Sequence, residues 1–240
     1  MSVLTLRLAG PLQSWGASAR FARRTTESAP TKSGVIGMLA AAAGIERGDD
    51  DALAPLAALR FAVRIDQPGT RVRDFHTAHH GVTGKSMPLS ERFYLADAVF
   101  VAALQGDATL VTALNAAMRA PVYPPFLGRR SCPPSLPVEL RLHDHDDVLD
   151  ALRAEPWQAS PWYRNHHRGQ DHIELTVLRD ADPDEHHTAD TLRDQPLSFA
   201  AQHRRHALRT QVTCSVRIPA PDARHLPRHD PFDALDEESA

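Results

Sequence analysis

Residues 30–39 read PTKSGVIGML, a short polar stretch that runs directly into an apolar segment. Beyond its polar start, apolar residues recur at the spacing of one helix face, at Val35, Ile36, Leu39 and Ala43. Gly44 follows, and glycine is the residue type that most often ends a helix. The stretch therefore predicts a helix over residues 33–44, entered through a polar joint.

The start of this helix is suited to an anion. Backbone N–H groups in the first turn of a helix have no intrahelical partner, and the helix dipole favours negative charge there. The joint adds hydroxyls, a cation and a residue without a side chain, namely Thr31, Lys32, Ser33 and Gly34. Nucleotide-binding P-loops place their glycines before the Lys-Ser pair, whereas here they follow it, which disfavours a nucleoside triphosphate. A phosphate site and a Ser/Thr-capped helix without a ligand both remain compatible with these residues.

Working outward from this helix, strand-like and helix-like segments follow one another in a known order. Alternating or continuous apolar patterns predict strands over residues 3–8, 60–66, 93–104 and 138–142. Helical spacing predicts two more helices, over 52–59 and 108–118. The order β-α-β-β-α-β is the ferredoxin-like plan, shared with RRM domains, so the predicted class is α+β.

Two loops interrupt this plan, and both are basic. Residues 70–92 have no hydrophobic period and are rich in Arg, His and Gly, which predicts an exposed hairpin or loop. Residues 121–134 contain too many prolines for a helix and form a stiff loop that presents Arg129 and Arg130 after Gly128.

The chain after residue 143 is acidic and His-rich. Strand patterns at 172–178 and 210–218 predict a second, smaller sheet. We therefore expect a ferredoxin-like domain at 1–142 with an insertion at about 67–92, a smaller β-rich region at 143–219, and an acidic, proline-containing tail at 220–240 that its composition predicts to be disordered.

Charge is distributed unevenly, although the net charge is only −3. Residues 1–45 contain five Lys/Arg and one acid, and residues 119–141 contain four Arg and one acid. Residues 144–190, by contrast, contain twelve acids and four Arg. Separate basic loops that converge on one surface are typical of proteins that bind a polyanion such as RNA. The basic loop residues are Arg20, Arg23, Arg24, Lys32, Arg71, Arg73, Arg129 and Arg130. For any single arginine a solvated surface charge is the simpler interpretation, and it is their clustering in loops that favours a polyanion.

Other kinds of site are poorly supported. Trp15 is compatible with stacking on a base, but an aromatic residue beside glycine is more often a core anchor. The fourteen histidines lack the spacing of a zinc site, and two cysteines provide neither a disulfide framework nor a structural metal site. Arg129 and Arg130 beside Cys132 would favour a lowered thiol pKa, although a structural cysteine is the simpler interpretation. We expect no cofactor and no metal.

Several motifs, in order along residues 3–135, resemble the Cas-five family of RAMP proteins, in the branch of the CasD-like subunits of type I-E CRISPR Cascade. The motifs are LAGPLQSWG at 8–16, PTKSG at 30–34, RDFHT at 73–77, YLADA at 94–98 and LGRRSCP at 127–133. The resemblance is weaker over residues 136–220 and absent from the tail. It implies a non-catalytic, cytoplasmic subunit that holds the 5′ handle of the CRISPR RNA (crRNA) in antiviral defence.

The resemblance also implies roles for particular residues and partners. A thumb at 67–92 would reach toward the CasC backbone subunit, although it is shorter than is typical of the family. The large CasA subunit would dock nearby, and target DNA would be met only indirectly, through the complex. The RNA-binding residues that it implies are Gln13, Ser14, Trp15, Arg24, Thr31, Lys32, Ser33, Gly34, Arg73, His76, Arg129 and Arg130.

Two other functions remain open at this point. The first is a metal-independent endoribonuclease that processes repeat RNA, as type I-C relatives do, with His76, Tyr94 and Lys32 as candidate acid–base residues. The second is an enzyme that binds a small phosphorylated metabolite. The separated basic loops favour an extended ligand over a compact one. No apolar run of about 18 residues is present, so no membrane span is predicted, and the low cysteine count fits a reducing compartment.

Overall fold

The computed structural model describes residues 1–17, 23–144, 147–167, 169–185 and 189–220. Arg20, the histidine pair at 186–187 and residues 221–240 of the predicted tail lie outside these ranges. The described elements are, in chain order, β1 (Ser2–Ala9), β2 (Leu12–Gln13), β3 (Arg23–Arg24), α1 (Lys32–Ala42), α2 (Asp50–Ala57), β4 (Arg60–Gln67), β5 (Thr70–His76), β6 (Ser90–Ala96), β7 (Val99–Gly106), α3 (Ala108–Arg119), β8 (Glu139–His143), α4 (Val148–Ala154), α5 (Pro161–Asn165), β9 (His172–Asp180), β10 (Asp190–Ser198) and β11 (Arg205–Pro219).

The main sheet of the described chain has seven strands in the order β10-β11-β9-β4-β7-β1-β8, and every described pairing in it is antiparallel. Side chains alternate between its two faces, as strand geometry requires. Leu4, Leu6 and Leu8 pack with α1, α2 and α3 on one face, whereas Val3 packs with α4 on the other. Two apolar cores therefore enclose the sheet, and the class is mixed α+β as predicted.

The prediction of one strand over 93–104 was wrong. The chain forms β6 and then β7, which belong to different sheets, with a break at Asp97, whose φ is +56°. Apolar residues lie on both sides of Asp97 because both segments are buried. A hydrophobic pattern reports burial, and it does not reveal where a strand leaves one sheet for another.

The segment predicted as an exposed excursion is a hairpin. β5 and β6 pair antiparallel over seven residues, from Thr70 with Ala96 to His76 with Ser90. Residues 77–89 form its exposed tip, where His79 bridges to Ser86. β2 and β3 complete a small sheet by pairing with β6, β2 at the base of the hairpin and β3 nearer its tip.

The prediction of a separate C-terminal sheet was also wrong. β9 pairs with β4, so β9, β11 and β10 extend the main sheet. Val177 and Val216 are buried in the same core as α4, which explains why these strands cannot stand apart. The three-part division of the chain at 142 and 219 stays a prediction. Within the described residues, no helix is both long and apolar enough to span a membrane.

Candidate nucleic-acid interface

The loop after β1 is built into the core. Gln13 is fully buried and donates two hydrogen bonds through Nε2, to the Leu8 carbonyl at 2.9 Å and the Ala98 carbonyl at 2.7 Å. Its Oε1 accepts from Trp15 Nε1 at 3.0 Å, and Trp15 is 0% exposed. Ser14 Oγ donates to the Phe93 carbonyl at 3.0 Å. These three side chains, predicted to line an RNA groove, are held inside the protein, and Trp15 has no exposed face on which a base would stack.

Gly34 explains why Trp15 fits. A Cβ atom at position 34 would lie 2.8 Å from Trp15 Cε3, which is closer than real side chains approach. Gly128 closes the opposite side, because its φ of +80° and an imagined Cβ only 1.9 Å from the Ser14 carbonyl oxygen admit no side chain. These glycines allow close packing of protein against protein.

The N-terminus of α1 holds an anion, as its sequence suggested, but the anion is part of the chain. The backbone N–H of Lys32 donates to Asp194 Oδ2 at 2.7 Å, and Lys32 Nζ lies 3.2 Å from Asp180 Oδ2. Thr31 is the N-cap, and its Oγ1 accepts from the Gly34 N–H at 3.3 Å. Lys32 is 4% exposed. Because a carboxylate already occupies this position, the structure offers no support for Lys32 as a direct ligand of an RNA phosphate.

Arg209 completes this buried cluster. Its guanidinium binds Asp194 in a bidentate pair, with Nε–Oδ1 and Nη2–Oδ2 distances of 2.8 and 2.9 Å, and donates to Asp180 Oδ1 at 2.8 Å. We call Lys32, Asp180, Asp194 and Arg209 the helix-start cluster. Burial lowers the pKa of Lys32, and the nearby carboxylates only partly offset that effect. The cluster joins α1 to three C-terminal strands, so its role in this structure is to hold the fold together.

A second group of cations lies on the surface. Arg129 extends from the proline-rich loop with its guanidinium 4.8 Å from the centre of the Tyr94 ring. Its Nη2 donates to the Arg24 carbonyl at 3.0 Å, and its Nη1 lies 3.4 Å from the Phe93 carbonyl. These contacts hold the guanidinium in place through carbonyls and a ring. They do not cancel its charge.

Neighbouring arginines extend this group along the paired strands of the hairpin. Arg24 is exposed and aligned with Arg92 in the parallel pairing of β3 with β6. Arg23 lies over the Phe93 ring at 5.3 Å, and Arg73 lies over Phe75 at 5.1 Å. We call Arg23, Arg24, Arg73, Arg92 and Arg129 the arginine surface. Its described ion pairs are long: Glu91 lies 3.7 Å from Arg23 and 3.8 Å from Arg73, and all three side chains are solvent-accessible.

The arginine surface has the chemistry of a nucleic-acid interface. Guanidinium groups supply paired donors to phosphate oxygens and flat faces for stacking. Rings beneath them restrict their motion, so less conformational entropy is lost when a ligand binds. Arg130 and His76 are exposed near this surface, on the proline-rich loop and at the end of β5. Of the predicted site residues, the exposed ones are therefore Arg24, Arg73, His76 and Arg130, with Arg129 half-buried beside them.

The candidate acid–base residues are not brought together. Tyr94 is 6% exposed beneath Arg129, and Lys32 is buried in the helix-start cluster. His76 pairs with Ser90, whereas Tyr94 pairs with Val72, four residues away along β5. At about 3.4 Å per residue, this offset along the strand alone separates their backbones by about 14 Å.

Cys132 does not behave as the two neighbouring arginines suggested. It is 1% exposed, and burial raises the pKa of its thiol, outweighing the smaller lowering by Ser131 and Arg129. Desolvation disfavours the thiolate more than a nearby cation favours it, so the pKa is not lowered, and the burial of Cys132 agrees with the simpler interpretation of a structural cysteine. In the part of the chain that the structure describes, no group of three His, Cys, Asp or Glu side chains is arranged to hold a metal ion.

Reasoning from the sequence missed two features of these sites. Asp194 and Asp180 lie 162 and 148 residues from Lys32, and no local pattern marks them as its partners. Arg23 was recognised only as one of the basic loop residues, and Arg92 was not singled out as an RNA ligand. The sequence ERFY at 91–94, in which one arginine is followed by two aromatic residues, is the signal that would have pointed to Arg92.

Known proteins resemble this chain over most of its length. The family of the CRISPR-associated protein (Cas_Cas5) matches residues 3–212. CRISPR system Cascade subunit CasD of Escherichia coli strain K12 is 38% identical over 169 residues, which cover 63% of this chain and 75% of CasD. Among solved structures, a chain of a CRISPR RNA-guided surveillance complex superposes with a TM-score of 0.71 at 32% identity, covering 98% of both chains. A crystal structure of a Cas protein superposes with a TM-score of 0.67 at 32% identity, covering 92% of this chain and 97% of that chain. The chain belongs to the Cas5 family of CRISPR-associated proteins.

Proposed function

We propose that this protein is the CasD-like subunit of a Cascade-type, RNA-guided surveillance complex and that it holds the repeat-derived 5′ handle of the crRNA without cleaving it. The observation that carries this proposal is the arginine surface. Arg23, Arg73 and Arg129 lie on aromatic rings, Arg129 also donates to backbone carbonyls, and the described ion pairs of Arg23 and Arg73 with Glu91 are long, so the charge of these arginines is available to a polyanion. The similarity to CasD and to a chain of a surveillance complex supports the same function.

In this proposal the predicted RNA-binding residues divide into two roles. Arg24, Arg73, His76, Arg129 and Arg130 contact the handle, because they are accessible. The buried stretches 13–15 and 31–34 shape the protein beneath them. Tight packing at Trp15 and Gly128 fixes the loop that presents Arg129. Arg23 and Arg92 join the contact set.

The β5–β6 hairpin is the proposed thumb, directed at the CasC backbone subunit. Its accessible apolar side chains suit a protein contact: Phe75, Val82, Met87 and Leu89 are 48% exposed or more. Monomeric proteins rarely expose such a group without a partner. The large CasA subunit is the proposed further neighbour, and target DNA is reached through the complex.

The remaining elements of the proposal concern fold and location. The order β4-β7-β1-β8, with α1 and α3 on one face, supports a ferredoxin-like core. The C-terminal strands are then an extension of that core. A cytoplasmic location fits a protein that works on CRISPR RNA.

The endoribonuclease alternative is not favoured. It needs an acid and a base at one scissile phosphate, whereas Tyr94 and Lys32 are buried and His76 lies about 14 Å from Tyr94 along the hairpin. The similarity to CasD also favours a binding subunit.

One assay separates the two functions. The full chain is incubated in EDTA with its own 5′-labelled repeat RNA, and the products are resolved for both mobility and length. We expect a shifted but intact RNA, with the shift lost when the handle sequence is scrambled. A discrete cut that disappears in His76→Ala or Tyr94→Phe would instead establish a processing nuclease.

A further inference from the structure

A cleft of about 530 Å³ lies at the end of the main sheet, and its lining includes none of the residues assigned to the handle. Its volume falls within the range of ligand pockets, about 300–1,000 Å³. β1 contributes Arg7, the segment before β8 contributes Ser135 and Leu136, and α5 contributes Trp162 and Arg164. None of these residues has a part in the proposed handle site.

Trp162 is the unusual residue of this cleft. The other two tryptophans of the chain, Trp15 and Trp157, are 0% and 4% exposed, whereas Trp162 is 53% exposed. Tyr163 and His166 contact its ring edge to face, with centroid distances of 5.6 and 5.9 Å. These contacts orient the indole while much of it stays open to solvent, an arrangement suited to stacking.

Arg7 supplies a fixed positive charge beside it. Its Nη1 donates to Gln158 Oε1 and its Nη2 to the Pro137 carbonyl, each at 3.2 Å. Its Nε is buried and has no acceptor among the described residues. Arg7 and Arg164 line the cleft together with one acid, Asp97, and guanidinium groups bind phosphate through several donors each.

We propose that this cleft binds one nucleotide of single-stranded RNA, with the base stacked on Trp162 and the phosphate held by Arg7 and Arg164. An accessible aromatic ring beside arginines is the usual combination in single-strand recognition. A duplex keeps its bases stacked internally, so it cannot present one to Trp162. The inference does not depend on handle binding at the arginine surface, because the two sets of residues are separate.

The test uses Trp162 as its own reporter. Since it is the accessible tryptophan, its fluorescence is the part of the signal that acrylamide quenches readily. A short oligouridylate is titrated into the full chain, with duplex RNA and inorganic phosphate as comparison ligands. We expect oligouridylate to change the emission and to protect Trp162 from acrylamide, and we expect duplex RNA and inorganic phosphate to do neither.

Matched variants assign the effect to the cleft. Arg164→Ala should weaken oligouridylate binding about tenfold, the loss expected for one charge-assisted contact, and Arg164→Lys should restore much of it. Arg153→Ala is the control, because Arg153 is exposed on α4 and does not line the cleft. The paired substitution Arg24→Ala with Arg129→Ala should leave the Trp162 response unchanged.

Three outcomes would overturn the inference. The first is a Trp162 response that survives Arg164→Ala but disappears in the variant with Arg24→Ala and Arg129→Ala. Trp162 would then be reporting RNA bound at the arginine surface. The second is no response to oligouridylate at all. The third is a change in Trp162 fluorescence that oligouridylate does not cause, but that removal of residues 221–240 or addition of a peptide of residues 230–240 does. That peptide carries five acids and no Lys or Arg. The occupant would then be a protein segment.

Discussion

The helix-start cluster and the arginine surface both contain cations that local sequence marks as phosphate ligands, and they differ in what already faces them. Lys32 and Arg209 are buried against two carboxylates at 2.8–3.2 Å. Arg129 and Arg23 lie on aromatic rings, and Arg129 also donates to backbone carbonyls. Carboxylates cancel charge, whereas rings and carbonyls orient a cation and leave its charge in place. The partner of a cation, more than its position at a helix start or in a loop, therefore separates a structural role from a binding role.

Removal of a carboxylate from the helix-start cluster should have the largest effect on stability. Asp194→Ala leaves Arg209 without its bidentate partner and the Lys32 N–H without its acceptor, so we expect a loss of about 3–5 kcal/mol. Urea denaturation of the full chain measures it. Asp190→Ala is the matched control, because Asp190 is exposed on the same strand. A loss below about 1 kcal/mol in Asp194→Ala, similar to an ordinary surface change, would show that the cluster does not join α1 to β10.

The conservative substitution Lys32→Met should have a smaller effect. Asp180 keeps Arg209 and the Phe61 N–H, at 2.8 and 2.9 Å, when the ammonium is lost. The variant is also relieved of the cost of burying that charge, so we expect about 1–2 kcal/mol of destabilisation. Affinity for the crRNA handle should not change. A marked fall in handle affinity in a folded Lys32→Met protein would return Lys32 to the RNA site.

The wild type and Lys32→Met should also differ in how their stability depends on pH. The pKa of Lys32 is lowered from its ordinary value of 10.5 in the folded protein, chiefly by burial. Between the lowered pKa and 10.5 the unfolded chain binds more protons, so stability contributed by Lys32 increases as pH rises through that window, by at most about 1.4 kcal/mol per pH unit. Urea midpoints across alkaline pH should show this increase in the wild type relative to Lys32→Met. If the stability of the wild type instead fell relative to Lys32→Met as pH rises, the pKa of Lys32 would be raised in the folded protein and not lowered.

Shortening the hairpin should have the smallest effect on stability and a large one on assembly. Residues 78–86 are exposed, so we expect their deletion to change the free energy of unfolding by no more than about 0.5 kcal/mol. Co-purification with CasC should be lost. Val82→Ser is a milder version at a residue 90% exposed, and it should weaken assembly without altering stability. Normal assembly of the deletion variant with CasC would show that the hairpin is not a thumb.

The fold was predictable where pattern and burial agree. β1, β4, α1 and α3 each match a predicted segment to within about two residues, because their apolar spacing follows the period of a strand or helix. The break at Asp97 was not predictable, since apolar residues continue on both sides of it. The pairing of β9 with β4 joins residues more than a hundred positions apart, and no local pattern encodes it.

The site was predictable in part. Basic loops pointed to Arg24, Arg73, Arg129 and Arg130, which the structure leaves accessible or half-buried. The same reasoning selected Lys32, because a cation at a helix start looks identical whether its anion is a phosphate or an aspartate from the same chain. Gln13 was selected by resemblance, and its buried hydrogen bonds cannot be read from composition. Trp15 was placed among the RNA ligands by the same resemblance, whereas the residues themselves favoured a core anchor, and its burial confirms that interpretation.

The most direct test of the account is the salt dependence of handle binding in two sets of variants. Arg24→Ala with Arg129→Ala removes two proposed phosphate contacts, so the slope of log K against log salt should decrease by about 1.4, or about 0.7 per contact on a single strand. Lys32→Met should keep the wild-type slope, as should the charge-matched control Arg119→Ala with Arg153→Ala, two exposed arginines outside the arginine surface. The slope does not depend on the fraction of active protein, so partial unfolding cannot imitate the result. A smaller salt slope in Lys32→Met, with an unchanged slope in the variant with Arg24→Ala and Arg129→Ala, would contradict the assignment of the arginine surface to the handle.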